Sequence, residues 1–298
     1  MFALDQASIV YSTGRSVELL IDRIGTEESF RTTSPKTPMN EPLLLVSSAS
    51  GITTLTLNRP AAMNSFTAEL HQELLSALNA AAEDHAVRCV ILTGQGRAFC
   101  AGQDLADPAA EPGKDLGALV SRYYQPLVQR IRSMPVPVVA AVNGVAAGAG
   151  ANLALCCDMV LAARSASFIQ AFSKIGLLPD TGGTWLLPRL VGPARALGLA
   201  LLGDKLPAAD AAAMGMIWQC VEDEALPAAA QALAARLAQL PTPALVATRQ
   251  AMAKAQNLSL NEALALEGRL QTRLGHSSDF AEGVNAFRAK RLPVFTDR

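Results

Sequence analysis

Asp180 lies in a glycine-rich turn, Leu178-Pro179-Asp180-Thr181-Gly182-Gly183, thirty positions after Gly150 closes a run of small residues, Gly148-Ala149-Gly150. Side chains that small let a ligand approach bare backbone, and a helix opening there leaves its first N–H groups without internal partners. Such amides can hold a developing negative charge, while a single carboxylate can move a proton. The two pieces are expected to face each other across one pocket. Taken alone, the small-residue run would also suit close helix packing, and Asp180 would suit an ordinary turn after proline. A dinucleotide fingerprint is not present, because GAGANL lacks the third glycine.

Other residue types offer less. Cys100 has no basic neighbour in sequence and reads as a small buried residue rather than a nucleophile. His71, His85 and His276 are scattered without ligand or triad spacing, so surface or capping roles are expected. Asp158 should accept hydrogen bonds at a strand start. Glu69, Glu73 and Asp84 read as a solvated helix face. Phe172, Tyr123, Tyr124 and Trp185 are candidates for an aryl pocket, with core packing as the alternative for each.

Composition bounds the rest. The 298 residues are about half apolar, enough for one large domain or two. Net charge is -1 with both signs interspersed, which argues against a nucleic-acid surface. The five cysteines, Cys89, Cys100, Cys156, Cys157 and Cys220, lack CxxC spacing and suit buried thiols in a reducing compartment, so a cytoplasmic location is expected. The sequence offers no uninterrupted apolar run of membrane-spanning length and no secretory leader pattern.

The elements that must position Asp180 and the amides follow in order. Residues 1–40 are polar and proline-broken after a brief amphipathic patch, and are expected to be a poorly ordered extension. Met39 stands directly before the first strand pattern, where translation is expected to start naturally. From Leu43, LLLVSSASGITTLTLN reads as a hairpin, and Asn64-Ser65 offers caps for a helix carrying Leu70, Leu74, Leu75 and Leu78. Cys89–Leu92 and Val138–Val142 read as buried strands, and a helix with Tyr123, Leu127, Val128 and Ile131 lies between them. A loop spans Ala106 to Gly117. After Asp180 come helices on either side of Gly192, one from Ala208, and a last strand near Val221. From Pro227 onward the pattern is helical, with breaks at Pro241, near Asn257 and at His276-Ser277. Alternating strands and helices followed by helices alone indicate an α/β core with a helical C-terminal region.

LTLNRPAAMNSF, GRAFCAGQDL, PVPVVAAVNGVAAGAGANLALCCD, IGLLPDTGGTWLLPRLVG and AAAMGMIWQCV occur in that order. Through them, the chain from about Leu43 to its end resembles the enoyl-CoA hydratase/isomerase (crotonase) superfamily. The resemblance implies a crotonase-like ββα spiral core over residues 41–222, where acyl-CoA binding and catalysis would lie. It also implies a C-terminal helical trimerisation region over 223–298, with a homotrimer or a dimer of trimers. FCAGQDL, NGVAAGAGA and GGTWLLPR are most similar to the isomerase branch that acts on ring-epoxide thioesters in phenylacetate catabolism.

Carried over by position, the resemblance makes the backbone N–H groups of Gln103 and Ala149 the oxyanion hole. Family members commonly have glycine where Ala149 stands. The CoA-binding positions would be Ala61, Met63, Ala101, Asp104 and Leu105, joined by Phe287, Lys290 and Arg291, often from a neighbouring subunit. True hydratases carry glutamates at the positions of Asn152 and Phe172, and neither is acidic here. Water addition needs an acid/base pair that an amide and a phenyl ring cannot form, whereas a proton shift between carbons needs one shuttle. Asp180 stands where isomerase-type relatives place a carboxylate. An acyl-CoA isomerase is therefore expected, with no metal or redox cofactor and with CoA as part of the substrate. An aliphatic Δ3,Δ2-enoyl-CoA isomerase, a hydratase-like enzyme, or an idle acyl-CoA- or RNA-binding relative are the competing readings.

Overall fold

The computed structural model describes residues 42–298, so the expectations for residues 1–40 lie outside the described residues. The chain starts with the hairpin of β1 (Leu44–Ala49) and β2 (Ile52–Leu57), paired antiparallel around Ser50-Gly51. Helix α1 (Ala68–Glu83) buries Leu70, Leu74 and Leu78 on one stripe. Its cap is Thr67, whose hydroxyl accepts from the Leu70 N–H, rather than Asn64 or Ser65. Asn64 is instead fully buried, donating to the carbonyls of Gln95 and Ala98 and accepting from the Arg59 N–H.

Three strand pairs then repeat one rule. In β3 (Cys89–Gly94) and β4 (Ala98–Cys100), the first strand joins a six-stranded sheet and the second a four-stranded one. Helices α2 (Leu116–Leu119) and α3 (Gln125–Ser133), joined by a π-helical turn over Val120–Tyr124, lead to the next pair, β5 (Val138–Val142) and β6 (Val145–Ala147). Helix α4 (Ala149–Cys156) follows, then β7 (Met159–Ala163) and β8 (Ser167–Ile169). The repetition of two strands and a connecting helix is the ββα spiral. β2, β3, β5, β7 and the later β10 run parallel, and β5 is buried along its whole length, as a parallel strand covered on both faces requires.

Helix α5 (Gly183–Leu202) is long and apolar enough to cross a membrane by length and composition, although Arg189 and Arg195 interrupt its apolar run. It is two helices in practice, because Gly192 breaks the backbone at φ 77°, ψ 161°. Strand β9 (Lys205–Pro207) closes the small sheet and α6 (Ala208–Ala213) leads to β10 (Gln219–Val221). α7 (Leu226–Ala238) lies against β3, β5 and β7 and buries Leu226, Ala230 and Ala234, so it belongs to the covering of the large sheet. α8 (Thr242–Ala255), α9 (Leu260–Gly275) and α10 (Ser278–Ala289) complete the chain, with the expected breaks between them. No residue of α9 is buried, although the helix opens with a full capping box at Ser259 and Glu262.

Candidate active site

The carboxyl ends of the parallel strands β4, β6 and β8 lie side by side, and each delivers one part of the site. After β4 comes Ala101-Gly102-Gln103, after β6 comes Gly148-Ala149, and after β8 come Gln170 and Phe172. Pockets at the carboxyl ends of parallel strands are where α/β folds bind ligands.

Gln103 pairs with Phe66 as a parallel bridge, in which Phe66 N–H donates to the Gly102 carbonyl at 2.7 Å and its own carbonyl accepts from Asp104 N–H at 2.9 Å. The peptide groups on either side are thus used, and the Gln103 N–H points the other way. Ala149 is the first residue of α4 and has no intrahelical acceptor. Among the described residues neither amide donates to a protein acceptor. Two glycines let these segments meet. A Cβ on Gly102 would stand 2.9 Å from the Ala147 carbonyl and 3.4 Å from the Ala149 nitrogen, and Gly102 has φ +92°. A Cβ on Gly150 would come to 2.3 Å from the Cys100 carbonyl oxygen, so α4 can start against β4 only with hydrogen there.

All eight residues of α4 are buried, and one turn after Ala149 it presents Asn152. The Asn152 amide donates to the Asp180 carbonyl at 2.9 Å, and its oxygen accepts from Gln170 Nε2 at 2.8 Å. Gly183 N–H reaches the same Asp180 carbonyl at 2.8 Å. The Asp180 carboxylate accepts from the Thr181 hydroxyl at 2.8 Å, and Thr181 holds φ 50°, a conformation rare for a β-branched residue. Burial raises the Asp180 carboxyl above its ordinary 3.8, with the Thr181 hydrogen bond opposing. The main chain around Asp180 is therefore fixed, while burial raises the affinity of its carboxyl for a proton.

Phe172 is buried, and a Cβ on Gly148 would lie 3.7 Å from its ring, so an apolar wall stands beside the amide pair. Tyr124 is fully buried, and its hydroxyl donates to Gln103 Oε1 at 2.8 Å. Trp185 is not part of that wall. It faces a cavity of about 510 Å³ with Asp158 and Arg249, under the Arg189 guanidinium 4.2 Å from its ring centre. His71 corrects the surface role expected for it, since it is buried and stacked between Phe66 and Tyr123, edge-on to Tyr124. Burial lowers its pKa to about 4, so the ring is neutral. Burial pushes the Cys100 thiol up to about 12, which suits the packing role expected of it. Asp158 accepts from Val138 N–H and from Arg249.

The positions assigned to CoA form two groups. Ala61 and Met63 lie in and after a 3-10 turn, and Ala101 N–H donates to the Met63 carbonyl at 3.0 Å, joining that turn to the Gly102-Gln103 segment. Leu105 is 64% exposed at the edge of the same surface. The Asp104 carboxylate is engaged by Arg59 at 2.9 Å, and Arg59 also donates to the Ser65 carbonyl. Burial would raise the Asp104 pKa, but Arg59 and the Ala106 N–H bring it below the ordinary value. Phe287 and Lys290 lie at the end of α10, and Phe287 is 86% exposed on a cavity of about 680 Å³ shared with Phe280 and Phe295. Within one chain that cavity belongs to the C-terminal helices and not to the Asp104 surface. Arg291 is held by Glu282 through two hydrogen bonds of 2.6 and 2.8 Å.

Arg59, Asn152, Gln170 and Tyr124 were not anticipated in these contacts. Arg59 could have been suspected from its place in LTLNRP, but the other three act through partners distant in sequence.

Residues 47–298 match the family model described as Enoyl-CoA hydratase/isomerase. The chain belongs to that family. It is 54% identical over 251 residues to the 1,2-epoxyphenylacetyl-CoA isomerase of Escherichia coli K12, covering 83% of this chain and 96% of that one. It is 52% identical over 250 residues to a protein of Rhodobacter capsulatus named a probable enoyl-CoA hydratase, covering 84% and 96%. The crystal structure of an enoyl-CoA hydratase from Bacillus anthracis superimposes with a TM-score of 0.80 at 31% identity, over 86% of this chain and all of that one. The spiral of strand pairs described above is thus the crotonase fold. Relatives of similar identity carry isomerase and hydratase names, so the reaction has to be argued from the residues in the site.

Proposed function

We propose that this protein is an acyl-CoA isomerase that converts 2-(1,2-epoxy-1,2-dihydrophenyl)acetyl-CoA into oxepin-CoA in phenylacetate degradation. The observation that carries the reading is that Asp180, with its raised pKa, is the carboxylate at this site, while the two hydratase glutamate positions hold Asn152, tied up by Asp180 and Gln170, and the apolar Phe172. The 54% identity to an isomerase named for that substrate supports it.

In this mechanism the Asp180 carboxylate removes a proton from the carbon beside the thioester carbonyl. Negative charge moves onto the carbonyl oxygen, where the Gln103 and Ala149 N–H groups receive it, each contributing about 3–4 kcal/mol. The same carboxyl, now protonated, returns the proton to a remote carbon of the delocalised system. No water is added and none is lost. For the ring epoxide, reaction through its oxepin valence tautomer yields the conjugated oxepin-ylidene thioester. Burial that destabilises the ionised Asp180 raises its basicity, and the Phe172 wall keeps the site apolar.

Ala61, Met63, Ala101, Asp104 and Leu105 form the CoA surface in this reading, with Asp104 held in place by Arg59. Phe287 and Lys290 reach the nucleotide of a neighbouring chain in a homotrimer or a dimer of trimers. The apolar surface left open by Leu197, Leu201 and Leu202 on α5 and by Leu260 and Leu264 on α9 supports an oligomer. The five free thiols support a reducing, cytoplasmic setting. No metal or redox group enters the scheme.

Incubation with the ring-epoxide thioester, a Δ3-enoyl-CoA and a Δ2-enoyl-CoA, followed by ultraviolet spectra, tests the reading. Conversion of the epoxide well above the other two is expected. Faster conversion of the aliphatic Δ3 ester, or incorporation of oxygen from labelled water into product, would overturn it.

A further inference from the structure

Tyr124 has no role in the proton transfer, yet its hydroxyl is bonded to the side chain of Gln103, whose N–H is assigned to the oxyanion hole. The residue is fully buried, edge-on to His71 at 4.3 Å and to Phe66 at 5.9 Å between ring centres. Its hydroxyl donates to Gln103 Oε1 at 2.8 Å, while Gln103 Nε2 donates to the Phe66 carbonyl at 3.1 Å. Both ends of the Gln103 side chain are therefore occupied, and the bridge to Phe66 holds the backbone on either side. The tyrosine closes the π-helical turn that separates α2 from α3. An extra residue in a helical turn re-aims the side chains beyond it, and such insertions concentrate at functional sites.

We propose that Tyr124 is a positioning residue for the isomerase reaction, its hydroxyl acting through the Gln103 side chain to aim the Gln103 N–H at the substrate carbonyl. The inference rests on the proposed function, in which that amide receives the enolate charge. The phenol remains a donor throughout the working pH range, because burial pushes its pKa well above 10.

The test is a double-mutant cycle of Tyr124→Phe and Gln103→Leu, read in two ways. The first is turnover of the ring-epoxide thioester. The second uses hexa-2,4-dienoyl-CoA, a conjugated thioester whose ultraviolet absorbance moves to the red when its carbonyl is polarised by the amide pair. Tyr124→Phe should lower kcat about tenfold to a hundredfold with KM within threefold, since misaiming a donor weakens transition-state stabilisation. It should also reduce the red shift of the bound probe. Gln103→Leu should do the same, and the double variant should be little worse than either single one. Asp180→Asn should keep the full red shift while losing turnover. Tyr124→Phe with kcat within twofold and an unchanged red shift would overturn the proposal, as would strictly additive effects.

If Tyr124→Phe does not fold, Gln103→Leu, which alters a partly exposed side chain, reads the same bond, and an unchanged red shift in it overturns the proposal. A wild-type protein that polarises the probe without converting the epoxide would refute the assigned substrate and leave the red-shift comparison to judge Tyr124. A wild type that gives no red shift would overturn both.

Discussion

Asn152→Asp changes an NH₂ to an oxygen in a fully buried position and tests whether this side chain holds Asp180. The native amide donates to the Asp180 carbonyl at 2.9 Å and accepts from Gln170 at 2.8 Å. In the variant, the acceptor toward Gln170 survives and the donor does not. Because Gly183 N–H also reaches the Asp180 carbonyl at 2.8 Å, the loss of that one donor is worth only about 1 kcal/mol. The larger penalty is an ionised carboxylate without a counterion, facing a carbonyl oxygen. It is capped by protonation, since neutralising a carboxyl of ordinary pKa near 3.9 at pH 7 costs about 4 kcal/mol. Below the ordinary pKa the neutral acid supplies its own proton to the Asp180 carbonyl, and the cap vanishes. The stability gap between wild type and variant should therefore be about 1 kcal/mol or less near pH 4. It should widen by about 1.4 kcal/mol per pH unit above that and reach roughly 3–5 kcal/mol at pH 7. Urea unfolding of both proteins across this range measures it. A gap that does not change with pH, or one below 1 kcal/mol at pH 7, would show that the Asn152 amide neither donates to Asp180 nor lies in a dry site.

Asp180→Asn should abolish turnover, by at least about a thousandfold, while acyl-CoA binding measured by calorimetry persists. Because the folded-state pKa of Asp180 is raised, ionisation opposes folding as pH rises through the window above 3.8, so the same variant should unfold at a higher temperature than wild type at pH 7 and at the same temperature near pH 3. The acid limb of the kcat profile should likewise lie above the ordinary carboxylate range. His71, neutral in the fold with a pKa of about 4 against 6.5, should withdraw roughly 3 kcal/mol of stability as pH falls from 6.5 to 4. Urea midpoints of wild type and His71→Phe at pH 7 and pH 4.5 would show it, as a pH-dependent loss present only in the former. Arg59→Met should raise KM for the thioester about tenfold with a smaller change in kcat, because it frees Asp104 and the Gln103 segment beside it. Steady-state kinetics checks this, and a fall confined to kcat would contradict it.

Local pattern carried much of the fold. The apolar runs at Cys89–Leu92 and Val138–Val142 are short and rich in β-branched residues, which suits buried parallel strands, and the turn at Ser50-Gly51 is where the hairpin reverses. Breakers were legible too, at Gly192 and at Pro241. Contacts between distant segments were not. His71 reads as a polar residue on a helix until Phe66, Tyr123 and Tyr124 close around it, and no spacing rule links those positions. Asn152 and Asp180 lie 28 residues apart, and their bond exists only because β7 and β8 carry the chain out and back to α4. The helix cap at Thr67 was missed for a related reason: Asn64 has the right chemistry for a cap, but tertiary carbonyls from Gln95 and Ala98 claim it. The family motifs single out Gln103, Ala149 and Asp180, and the structure shows what holds the main chain at each of them.

Helix α4 offers its first N–H at one end and, three residues on, the amide that grips the Asp180 turn. A tilt or slide of this short rod would move the Ala149 amide and the Asp180 turn together, so in the proposed mechanism neither donor nor base could be retuned without disturbing the other.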